Sequence, residues 1–235
     1  MSVERRIQRV LVAARGRPAA ERVAVYEGAG VECVVVFGPA DADDPHLDAA
    51  AWACPLPGSV ADATEGEELL RAIVGVAMDA GADAFDPSGT SFARDPHSAR
   101  YVASVGLAWL GGSPDALASN PVRPPDRAHR CVTCLCDGEG ATVVVADAWM
   151  EPGRTVVGSV HSAAVAVAQA AARTTRAAGV VNVHLGGAGE VLAVSFGLPE
   201  HHAQVQVGDR PLAVAAVAMI AGEGRGAPRD SIGET

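Results

Sequence analysis

There is no lysine in this chain; all 18 of its basic residues are arginine. That absence excludes a Schiff-base mechanism and removes the ammonium that many nucleotide sites aim at phosphates. Aromatic residues are scarce too, at 4% of 235 positions, so a core must be assembled largely from alanine, valine and leucine. Positive charge is in deficit: 28 acidic residues give a formal net charge of -10, which argues against nucleic acid and anionic membrane surfaces as partners. No apolar run approaches the roughly 20 residues that cross a bilayer. The start, MSVERRIQRV, lacks the apolar stretch and cleavage site of a secretory signal. Five cysteines make no even disulfide framework, and the expected setting is a reducing cytoplasm.

What is present alternates. "IQRVLVAA", "VECVVVF", "ADAFDP" and "LAWLGG" are short apolar runs of strand type. Between them lie helical stretches: "PAAERVAVYEGAG", "GEELLRAIVGVAMDAG" and "ARDPHSARYVASVG". In the second of these Leu69, Leu70, Ile73, Val74 and Ala77 recur at helical spacing. Strands alternating with helices predict a parallel sheet of Rossmann-like handedness. After residue 128 the rhythm changes. "RCVTCLCDGEGATVVVADAWM" reads as a hairpin about Asp137-Gly138, and "SAAVAVAQAAARTTRAAG" as a helix ending at Gly179. "VVNVHLGGAGEVLAVSFGLP" is a second hairpin turning at Gly186 to Gly189, and "RPLAVAAVAMIAGEG" a second helix. That half is α+β with an antiparallel sheet. The predicted organisation is a Rossmann-like domain over 1–112, a linker over 113–128, an α+β domain over 129–223 and a loose tail over 224–235.

Certain words along this order resemble biotin carboxylase, the ATP-grasp component of acyl-CoA carboxylases. "AARGRPAAERV" is similar to the family's "ANRGEIA" turn, and "PADADDPHLDAAAWA" to its "SDADRDALHVRLADEA", with His46 on the family histidine. "GADAFDPSGTSFARD" stands over "GADAIHPGYGFLSEN" without a gap, and "VGLAWLGGSPDAL" over "AGITFIGPSPEAI". In the second half "HRCVTCLCDGEG" is similar to "HVEIQVLADGHG". The likeness runs from about residue 7 to 223. It implies a pre-ATP-grasp N-terminal domain followed by part of an ATP-grasp fold. The family places a lid with ATP-contacting lysines and a glycine loop between "PEAI" and "HVEIQV"; here "ASNPVRPPDRA" alone joins Leu117 to His129. The chain therefore reads as a truncated and degenerate member without the lid.

The resemblance also implies lost metal positions. The family's first metal glutamate falls on His184 and its second on Ser195, with the family asparagine on Gly197. Neutral imidazole and hydroxyl are poor ligands for Mg²⁺. Of the family segment that positions bicarbonate and ATP, Arg154 alone is matched. The expectation is a non-catalytic pseudoenzyme, without cofactor or metal, that pairs with itself or with an acyl-CoA carboxylase subunit. The alternative is a small-molecule binder, of a nucleotide, acyl-CoA or carboxylate, that uses the cleft between the halves. Arg15, Arg94 and Arg154 would then supply its anion contacts.

Other groupings carry less. Cys131, Cys134 and Cys136 beside His129 suggest a soft-metal cluster, but on a strand Cys131 points opposite to the other two, so buried cysteines are expected. His201 and His202 fall in a loop, and "GGAGE" is a turn between strands, not a phosphate loop before a helix. No nucleophile and base can be paired from spacing alone.

Overall fold

A computed structural model describes residues 7–120, 129–138, 142–151, 154–158, 162–198, 206–207 and 210–221. Strand β1 (Arg9–Val12) leads through Gly16, at φ +70, into helix α1 (Gly16–Gly28), whose first turn accepts Pro18. Strand β2 (Glu32–Phe37) and the short helix α2 (Pro45–Ala49) follow, then strand β3 (Trp52–Pro55). Helix α3 (Glu67–Asp79) buries Leu69, Leu70, Ile73, Val74 and Ala77, the face its spacing predicts. Strand β4 (Ala84–Asp86), helix α4 (Pro96–Ser104) and strand β5 (Ala108–Trp109) complete the first half. The five strands form one sheet in the order β3-β2-β1-β4-β5, every pair parallel.

The fifth strand, β3, is not among those read from the sequence. "AAWACP" shows neither alternation nor a β-branched run, and its residues remain largely exposed at the sheet edge. Backbone pairing of Trp52 to Val34 and Cys54 to Val36 makes it a strand regardless of its composition. A second difference lies in the stretch read as linker, which begins as helix α5 (Pro114–Ser119). Ser113 caps it by accepting the Ala116 N–H at 3.2 Å, and Pro114 occupies the first turn. Residues 121–128 lie outside the described residues.

The second half is built on an antiparallel sheet. Strands β6 (His129–Asp137), β7 (Thr142–Glu151) and β8 (Arg154–Gly158) are antiparallel neighbours, with Gly138 at φ +81 leaving β6. Helix α6 (Ser162–Thr174) then crosses to β9 (Ala178–Leu185) and β10 (Val191–Phe196), giving the order β10-β9-β6-β7-β8. Helix α6 stops before the predicted Gly179, which lies inside β9 at φ +97. Thr175 and Arg176, the latter at φ +50, make the turn instead, where the Thr175 hydroxyl donates to the Ala172 carbonyl at 2.7 Å. A two-residue pair, β11 (Gln206–Val207) and β12 (Arg210–Pro211), precedes helix α7 (Leu212–Ala221).

Two apolar clusters run through both halves. One joins Val34, Phe85, Ile73 and Leu117 to Val132, Cys134, Ala168, Val181 and Phe196. The other joins Val10, Val12, Val23 and Tyr26 to Leu135, Val180, Leu212 and Val217. Polar contacts cross at the same seam: the buried Arg22 guanidinium donates to the Leu198 carbonyl at 3.1 Å, and the Leu198 N–H donates to Ser88 Oγ at 3.2 Å.

Candidate functional site

Strand alternation decides which side chains meet on the antiparallel sheet. Because β6 and β9 pair without a bulge, Cys131 stands opposite His184 and Thr133 opposite Asn182; Ser195 of β10 stands opposite Asn182 on its other side. These residues share one face with His129. The opposite face carries Val132, Cys134 and Cys136 into an apolar cluster.

The polar face is internally bonded. His129 Nε2 lies 2.9 Å from His184 Nδ1, and His184 Nε2 lies 2.8 Å from Ser195 Oγ. Thr133 donates its hydroxyl to Asn182 Oδ1 at 2.9 Å, and Asn182 Nδ2 donates to the Gly197 carbonyl at 2.9 Å. His129, Thr133, Asn182 and His184 are all buried, whereas Ser195 is half-buried at the strand nearest the sheet edge. Burial, reinforced by the neighbouring His129, depresses the His184 imidazole to about 4, so it is neutral at physiological pH.

This arrangement does not suit the divalent cation that the resemblance implies. Both nitrogens of His184 are engaged by side chains, Ser195 is its hydroxyl partner, and no carboxylate stands at either position. A hard cation needs oxygen donors of higher charge. Among the described residues no group of three or more histidine, cysteine, aspartate or glutamate side chains could hold a metal. Cys131 faces away from Cys134 and Cys136, and burial pushes the Cys134 thiol up to about 12, which makes it inert.

The arginines picked out by the sequence separate. Arg15 is a brace: Nη1 bonds Asp41 Oδ2 at 2.9 Å and the Ala61 carbonyl at 3.0 Å, while Nη2 bonds the Ala63 carbonyl at 2.7 Å. His46, wholly buried, accepts the Gly16 N–H on Nδ1 at 3.2 Å and so fixes the same turn. Arg94 is exposed at the end of a 3-10 turn (Ser91–Arg94). Arg154 begins β8, its side chain undescribed, and His201 and His202 lie outside the described residues. Gly197 follows β10 at φ +90, against Ser88. A cavity of about 210 Å³ opens at the carboxyl ends of β1 and β2, lined by Ala14, Arg15, Val36, Leu69, Thr90 and Phe92 among others.

Sequence reasoning missed three members of the bonded layer, His129 as a partner of His184 and the Thr133–Asn182 pair. The signal available was parity: 129, 131 and 133 share a face, as do 182 and 184. What parity could not supply was the register that sets one strand against the other.

Comparison with known proteins agrees with the fold. Residues 6–117 match the family model of the biotin carboxylase N-terminal domain. The chain is 33% identical over 114 residues to the biotin-dependent acyl-coenzyme A carboxylase alpha3 subunit of Mycobacterium leprae, a match covering 48% of this chain and 18% of that protein. Among solved structures, Kluyveromyces lactis urea carboxylase superposes with a TM-score of 0.75 at 17% identity, over 92% of this chain and 22% of that one. The biotin carboxylase of Campylobacter jejuni superposes with a TM-score of 0.74 at 13% identity, over 92% of this chain and 71% of that one. The chain thus spans about a fifth of the length of its curated relative and of the urea carboxylase.

Proposed function

We propose that this chain, whose residues 6–117 match the biotin carboxylase N-terminal domain model, is a carboxylase-like subunit that does not carry out ATP-dependent biotin carboxylation. It serves as scaffold or regulator, paired with an acyl-CoA carboxylase component or with itself. One observation carries the reading: the two positions that the resemblance assigns to metal glutamates hold His184 and Ser195, bonded to each other and to His129. Phosphoryl transfer depends on Mg²⁺ to neutralise developing charge, and a neutral imidazole–hydroxyl pair offers that ion little. Support for a partner comes from the family, since the Mycobacterium leprae relative is itself a carboxylase subunit. Tagging the chain in its own organism and identifying what co-purifies tests this directly. A biotinylated or carboxyltransferase component in fixed ratio is the expected result, and a preparation free of any carboxylase component and monomeric in solution overturns it.

A second reading is favoured by the cavity of about 210 Å³. It sits at the carboxyl ends of β1 and β2 and is lined also by Gly89 and Thr90, which follow β4, beside the point where the strand order reverses and open parallel sheets bind ligands. A small neutral or weakly polar molecule suits it better than a strong anion, because Arg15 is already paired with Asp41. Calorimetric titration with a panel of short acyl amides and carboxylates separates these ligand classes.

A further inference from the structure

Ser195, His184 and His129 form a line of three side chains joined by hydrogen bonds of 2.8 and 2.9 Å. Its order is that of a nucleophile, a base and an orienting group. Ser195 is a half-buried residue, while both imidazoles behind it are 5% exposed and held in place. In one of its two tautomeric arrangements His184 Nε2 accepts the serine proton and Nδ1–H donates to His129 Nε2, so the geometry permits activation. From this line we infer that the chain carries a serine–histidine–histidine acyl-transfer site, with Ser195 as nucleophile, His184 as general base and His129 as a positioning residue. The inference does not depend on a carboxylase partner.

The substrate class follows from the base. A neutral, desolvated imidazole is present in its proton-accepting form at neutral pH, but it is a weak base. It suits acyl groups already activated, as in aryl esters or thioesters, and not amides. In the first step Ser195 Oγ bonds to the acyl carbon and its proton passes to His184 Nε2. The alcohol or thiol leaves with the electron pair of the broken bond and takes that proton. Water then adds to the acyl carbon as His184 takes one of its protons; the bond from that carbon to Oγ breaks, His184 Nε2 returns the proton to Oγ, and the carboxylic acid leaves with Ser195 restored to its hydroxyl. His129 touches no reacting atom; it holds the ring of His184 so that Nε2 stays aimed at Ser195.

The purified full chain is treated with a fluorescent fluorophosphonate at pH 7.5, and the labelled peptide is identified by mass spectrometry. The expected result is near-stoichiometric label on Ser195, lost in Ser195→Ala and cut at least tenfold in His184→Ala. A burst of nitrophenolate from p-nitrophenyl acetate, about one per chain, accompanies it and is absent from Ser195→Ala. For the positioning role, His129→Gln, which keeps a side-chain acceptor, retains most of the labelling rate, while His129→Leu loses it. Ser195→Ala keeps the assay decisive if the histidine variants fail to fold, because it removes a single oxygen from a half-buried residue. Background labelling of Ser195 in the folded chain overturns the inference. So does labelling that is indifferent to His184→Ala in a variant of native circular dichroism, since the serine is then reactive without the relay.

Discussion

A Cβ placed on Gly197 would sit 2.9 Å from Ser88 Oγ, and the residue's φ of +90 is one that side-chain-bearing residues rarely adopt. Both features occur at the seam where β10 hands the chain toward Leu198. Gly197→Ala should therefore destabilise the fold by about 1–3 kcal/mol. Adding Ser88→Ala relieves the contact but not the backbone, so urea unfolding of the double variant should show only partial recovery. His184 supplies a second expectation at this scale. Its folded value of about 4 lies below the ordinary 6.5 because of burial and His129. Above pH 6.5 both folded and unfolded chains hold it neutral, and its effect on stability is constant. As pH falls below 6.5 the unfolded chain takes the proton first, so stability is lost progressively and the loss saturates near pH 4, at about 3 kcal/mol. Urea midpoints measured from pH 7.5 to 4 should slope more steeply in the native chain than in His184→Gln.

Helix ends show which local signals hold. Asp95 caps α4, its carboxylate accepting the N–H groups of His97 at 3.0 Å and Ser98 at 2.9 Å, so Asp95→Ala should cost about 1–2 kcal/mol. On α3 the Arg71–Glu67 pair is exposed on both sides and screened by solvent, so Arg71→Ala should leave stability essentially unchanged. Thermal melts of the two variants side by side check the contrast. Helix α3 and the strands β1, β2 and β4 were legible because each carries its own periodicity or apolar run. Strand β3 was not, since only its pairing with β2 makes it a strand, and α6 was overextended because its alanine-rich pattern continues past the turn at Thr175 and Arg176.

For the molecule as a whole, both apolar clusters draw residues from both sheets, so neither half closes a core alone. Calorimetry should then give one transition whose calorimetric and van't Hoff enthalpies agree. Two separated transitions would show that the Arg22–Leu198 and Ser88–Leu198 seam is weaker than its burial implies.

Composition and periodicity by themselves determined the two-part architecture, the parallel and antiparallel sheets, the face that α3 buries, and the absence of lysine chemistry. Each of these depends on short-range patterns or on counts. The joining of Ser195 to His184 and His129 was decided by tertiary structure alone. Fifty-five positions separate the two histidines, and only the register of β6 on β9, and of β9 on β10, brings the two rings and the hydroxyl within hydrogen-bonding distance. Register is a property of strands already paired and packed, and a one-residue slip would turn every one of these groups to the other face.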